Sequence, residues 1–189
     1  MNSKKQLRSQ LKVYRLSLDR DLKAASDKAI FENVINTDAY RSCSQLLVYV
    51  SGDIEVDTRL LIRQALADGK SVLAPRCISG TNLMDFCLIR SFDDLEEGAY
   101  GIYEPKAGCE IISEFSDALC IVPALAFDNN GYRIGFGKGF YDRFLSEFQG
   151  ISLGICYDSS VIEDVYRQEH DKTVNMIVTE NRTLIIYKQ

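Results

Sequence analysis

Histidine, proline and tryptophan are scarce in this chain. Its 189 residues include one histidine, His170, three prolines and no tryptophan. A single imidazole excludes metal sites built from several histidines, and any Ser-His-Asp or Cys-His catalytic arrangement would have to use His170. The number of candidate catalytic chemistries is therefore small before any motif is considered.

The cysteines are dispersed, and no segment is long and apolar. No pair has the C-x-x-C spacing, and no apolar stretch approaches the ~18 residues of a membrane span or follows the basic N-terminus as a signal-peptide core. We therefore expect a cytoplasmic protein with reduced thiols and no membrane partner. Three of the six cysteines lie inside apolar runs and are predicted to be small core residues: Cys87, Cys120 and Cys156.

Basic residues are outnumbered overall but concentrated at the N-terminus. The chain has 22 Lys and Arg and 27 Asp and Glu, a net charge of −5, which argues against a nucleic-acid partner bound by a basic surface. Residues 1–23 hold 7 basic and 2 acidic side chains, whereas residues 24–189 hold 15 and 25. We therefore expect a local basic patch on an acidic protein, which we predict to be a monomer that binds a small molecule.

Helical and strand-like segments alternate along the chain. Predicted helices cover residues 4–22, 21–35, 56–68 and 140–148, and predicted strands cover 45–50, 70–74, 84–89, 118–122, 151–156, 174–178 and 184–187. The alternation predicts one α/β domain over residues 1–189, with a mostly parallel twisted sheet covered by helices on both faces. Ligands of such folds bind where strands end in loops, which here selects the loops after Val50, Ala74 and Val122.

The most informative segment is a glycine-rich loop, PALAFDNNGYRIGFGKGFYDR, at residues 123–143. Gly135, Gly137 and Gly139 precede a predicted helix, so backbone N–H groups and the helix N-terminus could bind phosphate, with Lys138 adding a charge. Asp142 offers an oxygen ligand of the kind that Mg²⁺ prefers. The spacing fits neither a Walker A loop nor a dinucleotide fingerprint, and a tight strand-to-helix turn is the alternative explanation.

This segment closely resembles the signature of the 5-formyltetrahydrofolate cyclo-ligase family. Other segments resemble family blocks in the same order, so that the resemblance covers nearly the whole chain: KKQLRSQLKVYR, VYVSGDIEVDT, VLAPR, MDFCLI, GIYEP and EHDKTVNMIVTE. Three residues depart from the family pattern, namely Phe136, Phe140 in place of a common Tyr, and Asn175 in place of a common Asp. None removes a charged group from the phosphate or metal positions.

The resemblance implies an ATP-dependent reaction. In this reaction 5-formyltetrahydrofolate closes to 5,10-methenyltetrahydrofolate, with release of ADP and phosphate. ATP would phosphorylate the formyl oxygen, because a formamide carbonyl is a poor electrophile, and N10 would then attack the activated carbon. Positioning and charge neutralisation would dominate such a phosphoryl transfer. Nothing in it requires an imidazole, so we interpret His170 as structural, or at most as a residue that supports the ligand-contacting side chains.

Site residues follow from the same resemblance. The catalytic residues would be Arg133, Lys138 and Tyr141. ATP would contact Lys4, Lys5, Gln6, Leu7, Arg8, Arg133, Ile134, Gly135, Phe136, Gly137, Lys138, Gly139, Phe140 and Tyr141. The folate would contact Val50, Glu55, Phe136, Gly137, Lys138, Gly139 and Phe140, and Mg²⁺ would bind Asp142 and Asp171.

Two other functions remain open from the sequence. The chain could be a non-catalytic binder that sequesters the folate or a nucleotide, or a ligase that acts on another N-formyl compound. Individual residues have simpler explanations as well, since the basic N-terminal helix could be a solvated face and Asp171 an ordinary loop residue.

Overall fold

A computed structural model describes residues 3–98 and 101–187. Its helices are α1 (Lys4–Leu16), α2 (Arg20–Ile35), α3 (Asp38–Ser42), α4 (Arg59–Ala67) and α5 (Phe140–Glu147). Its strands are β1 (Gln45–Leu47), β2 (Ser71–Cys77), β3 (Met84–Ile89), β4 (Leu95–Glu97), β5 (Tyr103–Pro105), β6 (Ile111–Ile112), β7 (Ala118–Pro123), β8 (Ala126–Asp128), β9 (Arg133–Ile134), β10 (Ile151–Ile155), β11 (Val161–Ile162), β12 (Met176–Val178) and β13 (Thr183–Ile185).

An eight-stranded sheet forms the centre of the molecule, in the order β13-β12-β10-β7-β1-β2-β3-β6. The five strands from β12 to β2 pair in parallel, and the outer pairings are antiparallel. The central strands are rich in buried Val, Ile and Leu, as expected where both faces of a sheet are covered. The predicted α/β fold with a mostly parallel sheet is confirmed.

Alternate residues of the central strands point to opposite faces, and helices pack on both. Leu46 and Val48 belong to the apolar cluster of α2 and α4, whereas Leu47 belongs to the cluster of α5. On the α5 side, Phe144 lies against Phe86 with ring centroids 4.6 Å apart. This layering places α5, and the loop that precedes it, over one face of the sheet.

The glycine-rich segment holds more structure than its polar sequence indicates. Strands β8, β9 and β11 form a separate three-stranded sheet in the order β11-β8-β9. Helix α1 packs against it, since Leu7 and Leu11 share a cluster with Leu125 and Ile134. The basic N-terminal helix is thereby held beside the glycine-rich loop rather than on the main sheet.

Several predicted boundaries were wrong for local reasons. The first helix ends at Leu16 instead of residue 22, because Asp19 caps α2 by accepting hydrogen bonds from the backbone N–H groups of Asp21 and Leu22. Strand β2 continues through Pro75 to Cys77. Strand β1 pairs with β2 only as far as Leu73. Pro75 lies beyond this pairing, so its missing backbone N–H removes no hydrogen bond to β1 and is tolerated.

The remaining boundary differences concern short elements. The strands predicted at 45–50 and 174–178 are shorter, at Gln45–Leu47 and Met176–Val178, and the strand predicted at 184–187 is shifted to Thr183–Ile185. The helix predicted at 56–68 is Arg59–Ala67. The region 90–115, which has no clear sequence period, contains β4, β5 and β6. Strands of two or three residues are too short to show an alternating pattern.

The predicted role of the three cysteines in apolar runs is confirmed. Cys87, Cys120 and Cys156 are fully buried, and all six cysteines are free thiols. No helix within residues 3–98 and 101–187 is long and apolar enough to cross a membrane.

Gly154 is expected to be essential to the packing of the central sheet. A Cβ atom at this position would lie 2.3 Å from Cζ of Phe127, which is fully buried. Because Gly154 is paired on both sides, with Val122 and Ile177, its strand cannot shift easily. We expect Gly154→Ala to lower the free energy of unfolding by about 2 kcal/mol, the usual cost of overpacking, as measured by urea denaturation.

Gly108→Ala is the matched control. A Cβ at Gly108 meets no atom within 4 Å, so this variant is expected to unfold at the same urea concentration as the wild type. Equal midpoints for both variants would show that Phe127 can move aside.

Candidate active site

One cavity of about 500 Å³ lies where the central parallel strands end. Val50 follows β1 and lines the cavity together with Pro75 from β2 and Pro123 from β7. These residues lie at the three strand ends that the sequence selected, and the topology brings them together because parallel strands end at the same edge.

The glycine-rich loop forms a second wall of the cavity. Its residues 135–139 connect β9 to α5 and include two glycines in the left-handed region, Gly137 with φ 103° and Gly139 with φ 73°. Nε of Arg8 donates to the carbonyl oxygen of Gly135 over 2.8 Å, and a Cβ at Gly137 would lie 3.1 Å from Cζ of Arg8. Glycine therefore allows both the backbone turn and the close approach of α1.

Two ion pairs join this wall to its surroundings. Nζ of Lys4 lies 2.5 Å from Oδ2 of Asp171, and Nη2 of Arg133 lies 2.7 Å from Oδ1 of Asp142. All four side chains line the cavity. Cations that could bind phosphate and carboxylates that could bind a metal ion are thus paired with each other.

Arg133 is the most enclosed of these charged groups, with only 4% of its side chain exposed. Its Nη1 donates to the carbonyl oxygen of Lys172 over 2.8 Å while Nη2 donates to Asp142. Burial lowers the pKa of Arg133, and the nearby Asp142 and Asp171 oppose that shift. An arginine remains charged under such conditions, so Arg133 supplies a fixed positive charge beneath the loop.

Asp171 is held in its ionised form. Burial raises the pKa of this carboxyl, but the hydrogen bonds from Lys4 and from the backbone N–H of Gln168, together with the charge of Lys4, lower it, and the net pKa is below the ordinary value. The Gln168 bond, 2.8 Å to Oδ2, fixes the carboxylate independently of Lys4.

The donor set at this position fits a magnesium ion that also binds phosphate. The described residues contain no cluster of three or more His, Cys, Asp or Glu around one point. Magnesium bound with a nucleotide, however, commonly takes one or two carboxylates and completes its shell with phosphate oxygens and water. Asp142 accepts its hydrogen bonds on Oδ1 and Asp171 on Oδ2, so each has a second oxygen for a metal.

Glu55 provides a further carboxylate to the cavity lining. It lies in the loop after β1, where its Oε2 accepts a hydrogen bond from the backbone N–H of Gly52 over 2.8 Å. Burial raises the pKa of Glu55, and the Gly52 bond and the positive charges of Arg15 and Lys23 partly offset this shift. A largely buried carboxylate of this kind is suited to accept hydrogen bonds from a ligand's N–H groups.

Tyr141 has a hydroxyl that is not satisfied by the protein. The residue lines the cavity, and its hydroxyl is buried without a hydrogen-bond partner in the part of the chain that the structure describes. Burial raises the pKa of Tyr141 well above the ordinary value, so the group is a neutral donor. Buried polar groups are normally paired, which indicates that a ligand or water completes this site.

Cys77 lines the cavity but is not suited to nucleophilic catalysis. Burial, together with a hydrogen bond to Glu104 and the charge of that residue, raises the pKa of the Cys77 thiol to about 12. The reactive form of cysteine is the thiolate, so Cys77 is a neutral wall residue at neutral pH.

The structure brings most of the predicted site residues together. Those that line the cavity are Lys4, Arg8, Val50, Glu55, Arg133, Gly135, Phe136, Gly137, Lys138, Gly139, Phe140, Tyr141, Asp142 and Asp171. Lys5 and Gln6 are exposed outside this lining, and Leu7 and Ile134 pack in the small-sheet cluster. The ligand contacts of all these residues stay predictions.

Other lining residues were not identified from the sequence. They are Lys12, Tyr49, Ile54, Pro75, Cys77, Met84, Ile102, Tyr103, Glu104 and Pro123. For Lys12 a signal existed, because Lys4, Arg8 and Lys12 follow each other at intervals of four and so share one helix face. The charged residues of the full lining nearly cancel, with five cations, Lys4, Arg8, Lys12, Arg133 and Lys138, against four carboxylates, Glu55, Glu104, Asp142 and Asp171.

Comparison with known proteins assigns the chain to a family. A sequence model of the 5-formyltetrahydrofolate cyclo-ligase family matches residues 1–180. The chain is 28% identical to a probable 5-formyltetrahydrofolate cyclo-ligase of Caenorhabditis elegans, with 96% of this chain and 95% of the relative covered. It is 34% identical to the 5-formyltetrahydrofolate cyclo-ligase of Escherichia coli K12 over 71% of this chain and 77% of the relative.

A solved structure extends the comparison to three dimensions. The NMR structure of Aquifex aeolicus 5,10-methenyltetrahydrofolate synthetase superposes with a TM-score of 0.82 and 29% sequence identity, covering 98% of this chain and 94% of the other. The family match thus spans the elements that build the cavity, from α1 to the loop around Asp171. The chain is an enzyme that belongs to the 5-formyltetrahydrofolate cyclo-ligase family.

Proposed function

We propose that this enzyme uses ATP to close 5-formyltetrahydrofolate to 5,10-methenyltetrahydrofolate, with release of ADP and phosphate. The observation that carries the proposal is that one cavity is lined both by the cations Lys4, Arg8, Arg133 and Lys138 and by the carboxylate of Glu55. Such a cavity can hold a triphosphate and a folate ring in one enclosure, which a transfer between them requires.

The chemistry explains why a nucleotide is needed. Transfer of the γ-phosphoryl group of ATP to the formyl oxygen turns a poor leaving group into phosphate. The lone pair of N10 then attacks the formyl carbon, the C–O bond breaks, and the proton of N10 leaves with the phosphate. Atoms balance without a further reactant, and the protein's task is to orient both substrates and stabilise the charge on the phosphoryl oxygens.

Each side chain has a role consistent with its position. Arg133 and Lys138 would stabilise the transferred phosphoryl group, and Glu55 would accept hydrogen bonds from the amino and amide N–H groups of the pterin. The Tyr141 hydroxyl would donate to a substrate oxygen, which would satisfy its unpaired donor. Asp142 and Asp171 would hold Mg²⁺, which when bound neutralises charge on the phosphates.

A direct assay tests this function. Purified protein is incubated with Mg²⁺, ATP and 5-formyltetrahydrofolate, and formation of the methenyl product is followed by its absorbance. We expect product only when ATP is present, with one ADP released per methenyl product. Binding of the folate without ADP formation would instead identify a non-catalytic binder, and turnover of other formamides in its place would indicate a different ligase.

Glu55 gives the folate site an expected pH dependence. Ionised Glu55 accepts hydrogen bonds and the protonated form does so poorly, so folate affinity falls as the pH decreases through its pKa, which burial places above the ordinary glutamate value. We expect Glu55→Gln to raise the KM for the folate about 10-fold, as for loss of a hydrogen bond to a charged group, and to remove this pH dependence. Steady-state kinetics between pH 5 and 8 measures both effects.

The KM for ATP serves as the internal control, since Glu55 lies in the loop after β1 and not in α1 or the glycine-rich loop, which hold the residues proposed to bind phosphate. It should stay within a factor of two of the wild-type value. Identical pH profiles of the folate KM in both enzymes would contradict the assignment of Glu55 to the pterin.

A further inference from the structure

We propose that the Lys4–Asp171 ion pair is a latch that metal and nucleotide open together, each taking one of its two partners. The proposal rests on the proposed ATP-dependent function and adds a coupling between two ligands of the same site. In the ligand-free protein Lys4 neutralises Asp171. In the complex Asp171 would bind the metal ion and Lys4 a phosphate oxygen.

The geometry shows why neither ligand opens the pair alone. Asp171 is only 5% exposed at its side chain, and Nζ of Lys4 lies 2.5 Å from it. A metal ion that displaced Lys4 without phosphate would leave the ammonium group beside a divalent cation. A nucleotide that drew Lys4 away without a metal would leave the buried Asp171 carboxylate unpaired next to phosphate. Either state carries an uncompensated charge in a poorly solvated place, which is costly.

Binding both ligands restores every charge pair. The metal replaces Lys4 as the counter-charge of Asp171, and phosphate replaces Asp171 as the counter-charge of Lys4. The cavity lining has almost equal numbers of cations and carboxylates. Metal-free ATP, which carries four negative charges, would therefore meet a nearly neutral site, and a metal ion that neutralises part of its charge favours binding.

Lys4, and not Arg133, is the partner able to move. Lys4 lies in the first turn of α1 with 20% of its side chain exposed, whereas the Arg133 side chain is 4% exposed and also held by the carbonyl oxygen of Lys172. Asp171 keeps its bond from the N–H of Gln168 when Lys4 leaves, so the carboxylate stays in place. A lysine has a flexible stem that can move between partners at little cost.

The latch predicts that replacing Lys4 and replacing Asp171 change the affinities for metal and for nucleotide in opposite directions. Lys4→Met releases Asp171, so Mn²⁺ without nucleotide should bind about 10-fold more tightly, and metal-free nucleotide more weakly. Asp171→Asn releases Lys4, so metal-free nucleotide should bind about 10-fold more tightly and Mn²⁺ more weakly. A coupling of this size is typical between linked sites. Loss of a merely structural ion pair would weaken both ligands in both variants.

Binding measurements without turnover test the proposal. Titration of Mn²⁺ is followed by the electron paramagnetic resonance of the free ion, and titration of the β,γ-imido analogue of ATP by calorimetry, with EDTA or with Mn²⁺. Lys28→Met is the matched control, because Lys28 is exposed on α2 and outside the cavity lining, and should match the wild type. Lys4→Gln provides a second variant should Lys4→Met fold poorly.

The outcomes separate the latch from the proposed function. Wild-type protein that binds the analogue with Mn²⁺, together with variants of opposite sign, supports the latch. Tight binding of the analogue with Mn²⁺ but weaker or unchanged binding of Mn²⁺ alone to Lys4→Met overturns the latch and leaves ATP dependence intact. Failure of the wild type to bind the analogue even with Mn²⁺ overturns both.

Discussion

Replacing Lys138 by alanine is expected to lower kcat about 100- to 1,000-fold, the usual loss when a group that stabilises transition-state charge is removed. Lys138 is an exposed residue of the glycine-rich loop, between Gly137 and Gly139, and it lines the cavity. Its charge would follow the phosphoryl group during transfer, so the KM for the folate should change far less than kcat. Steady-state measurement of methenyl product at saturating ATP determines both.

The fold should not depend on this side chain, because Lys138 is exposed. Thermal unfolding of Lys138→Ala should match the wild type. Lys172→Ala is the control for charge alone: it removes an exposed lysine outside the cavity lining, and the backbone bonds of Lys172 to Arg133 and Asp142 remain. Equal kcat values for wild type and Lys138→Ala would refute a role of Lys138 in phosphoryl transfer.

The sheet and the glycine-rich loop were predictable because their signals are local. The central strands are continuous apolar runs, and a run of alternating glycines directly before α5 indicates a turn with positive φ values. Asp142 follows in the first turn of that helix, so the sequence placed it beside the loop correctly. The ion pairs were not predictable in this way, since Lys4 and Asp171 are 167 positions apart and meet only because α1 packs on the small sheet.

The cavity residues of β5 were not predicted from the sequence, for a different physical reason. Tyr103 and Glu104 belong to a three-residue strand, β5, that pairs with β4, and so short a segment shows no alternating pattern in the sequence. Neighbours within a motif can also have separate tasks. Arg133 reaches the cavity while Ile134 packs in the small-sheet cluster, because successive residues of a strand point to opposite sides.

Helix α1 explains how an acidic chain could bind two anionic substrates. Its cationic residues Lys4, Arg8 and Lys12 line the cavity, whereas Leu7 and Leu11 fix the helix to the small sheet. The positive charge that the sequence concentrates in residues 1–23 is thereby placed beside Arg133 and Lys138, far along the chain. The acidic remainder does not oppose binding, because exposed charges more than about 10 Å away are largely screened.

Arg133→Met is expected to affect both folding and catalysis. Removing the guanidinium leaves Asp142 without its counter-charge and the carbonyl oxygen of Lys172 without its donor, so the free energy of unfolding should fall by about 3 kcal/mol, the lower end for breaking a buried ion pair. Asp142 keeps partial solvent access, at 24% side-chain exposure, which limits the cost. The kcat should fall at least about 100-fold, since a charge fixed beneath the phosphate site is lost.

The double variant Arg133→Met/Asp142→Asn separates these two effects. Asparagine can still accept the backbone N–H of Lys172 but leaves no unpaired charge, so urea denaturation should show recovery of about 1 kcal/mol or more relative to Arg133→Met, a coupling typical of residues in direct contact. Turnover should not recover, because Arg133 no longer binds phosphate and Asp142 no longer binds the metal ion. Recovered turnover in the double variant would mean that Arg133 acts only by neutralising Asp142, and that phosphate is bound by the other cations of the cavity.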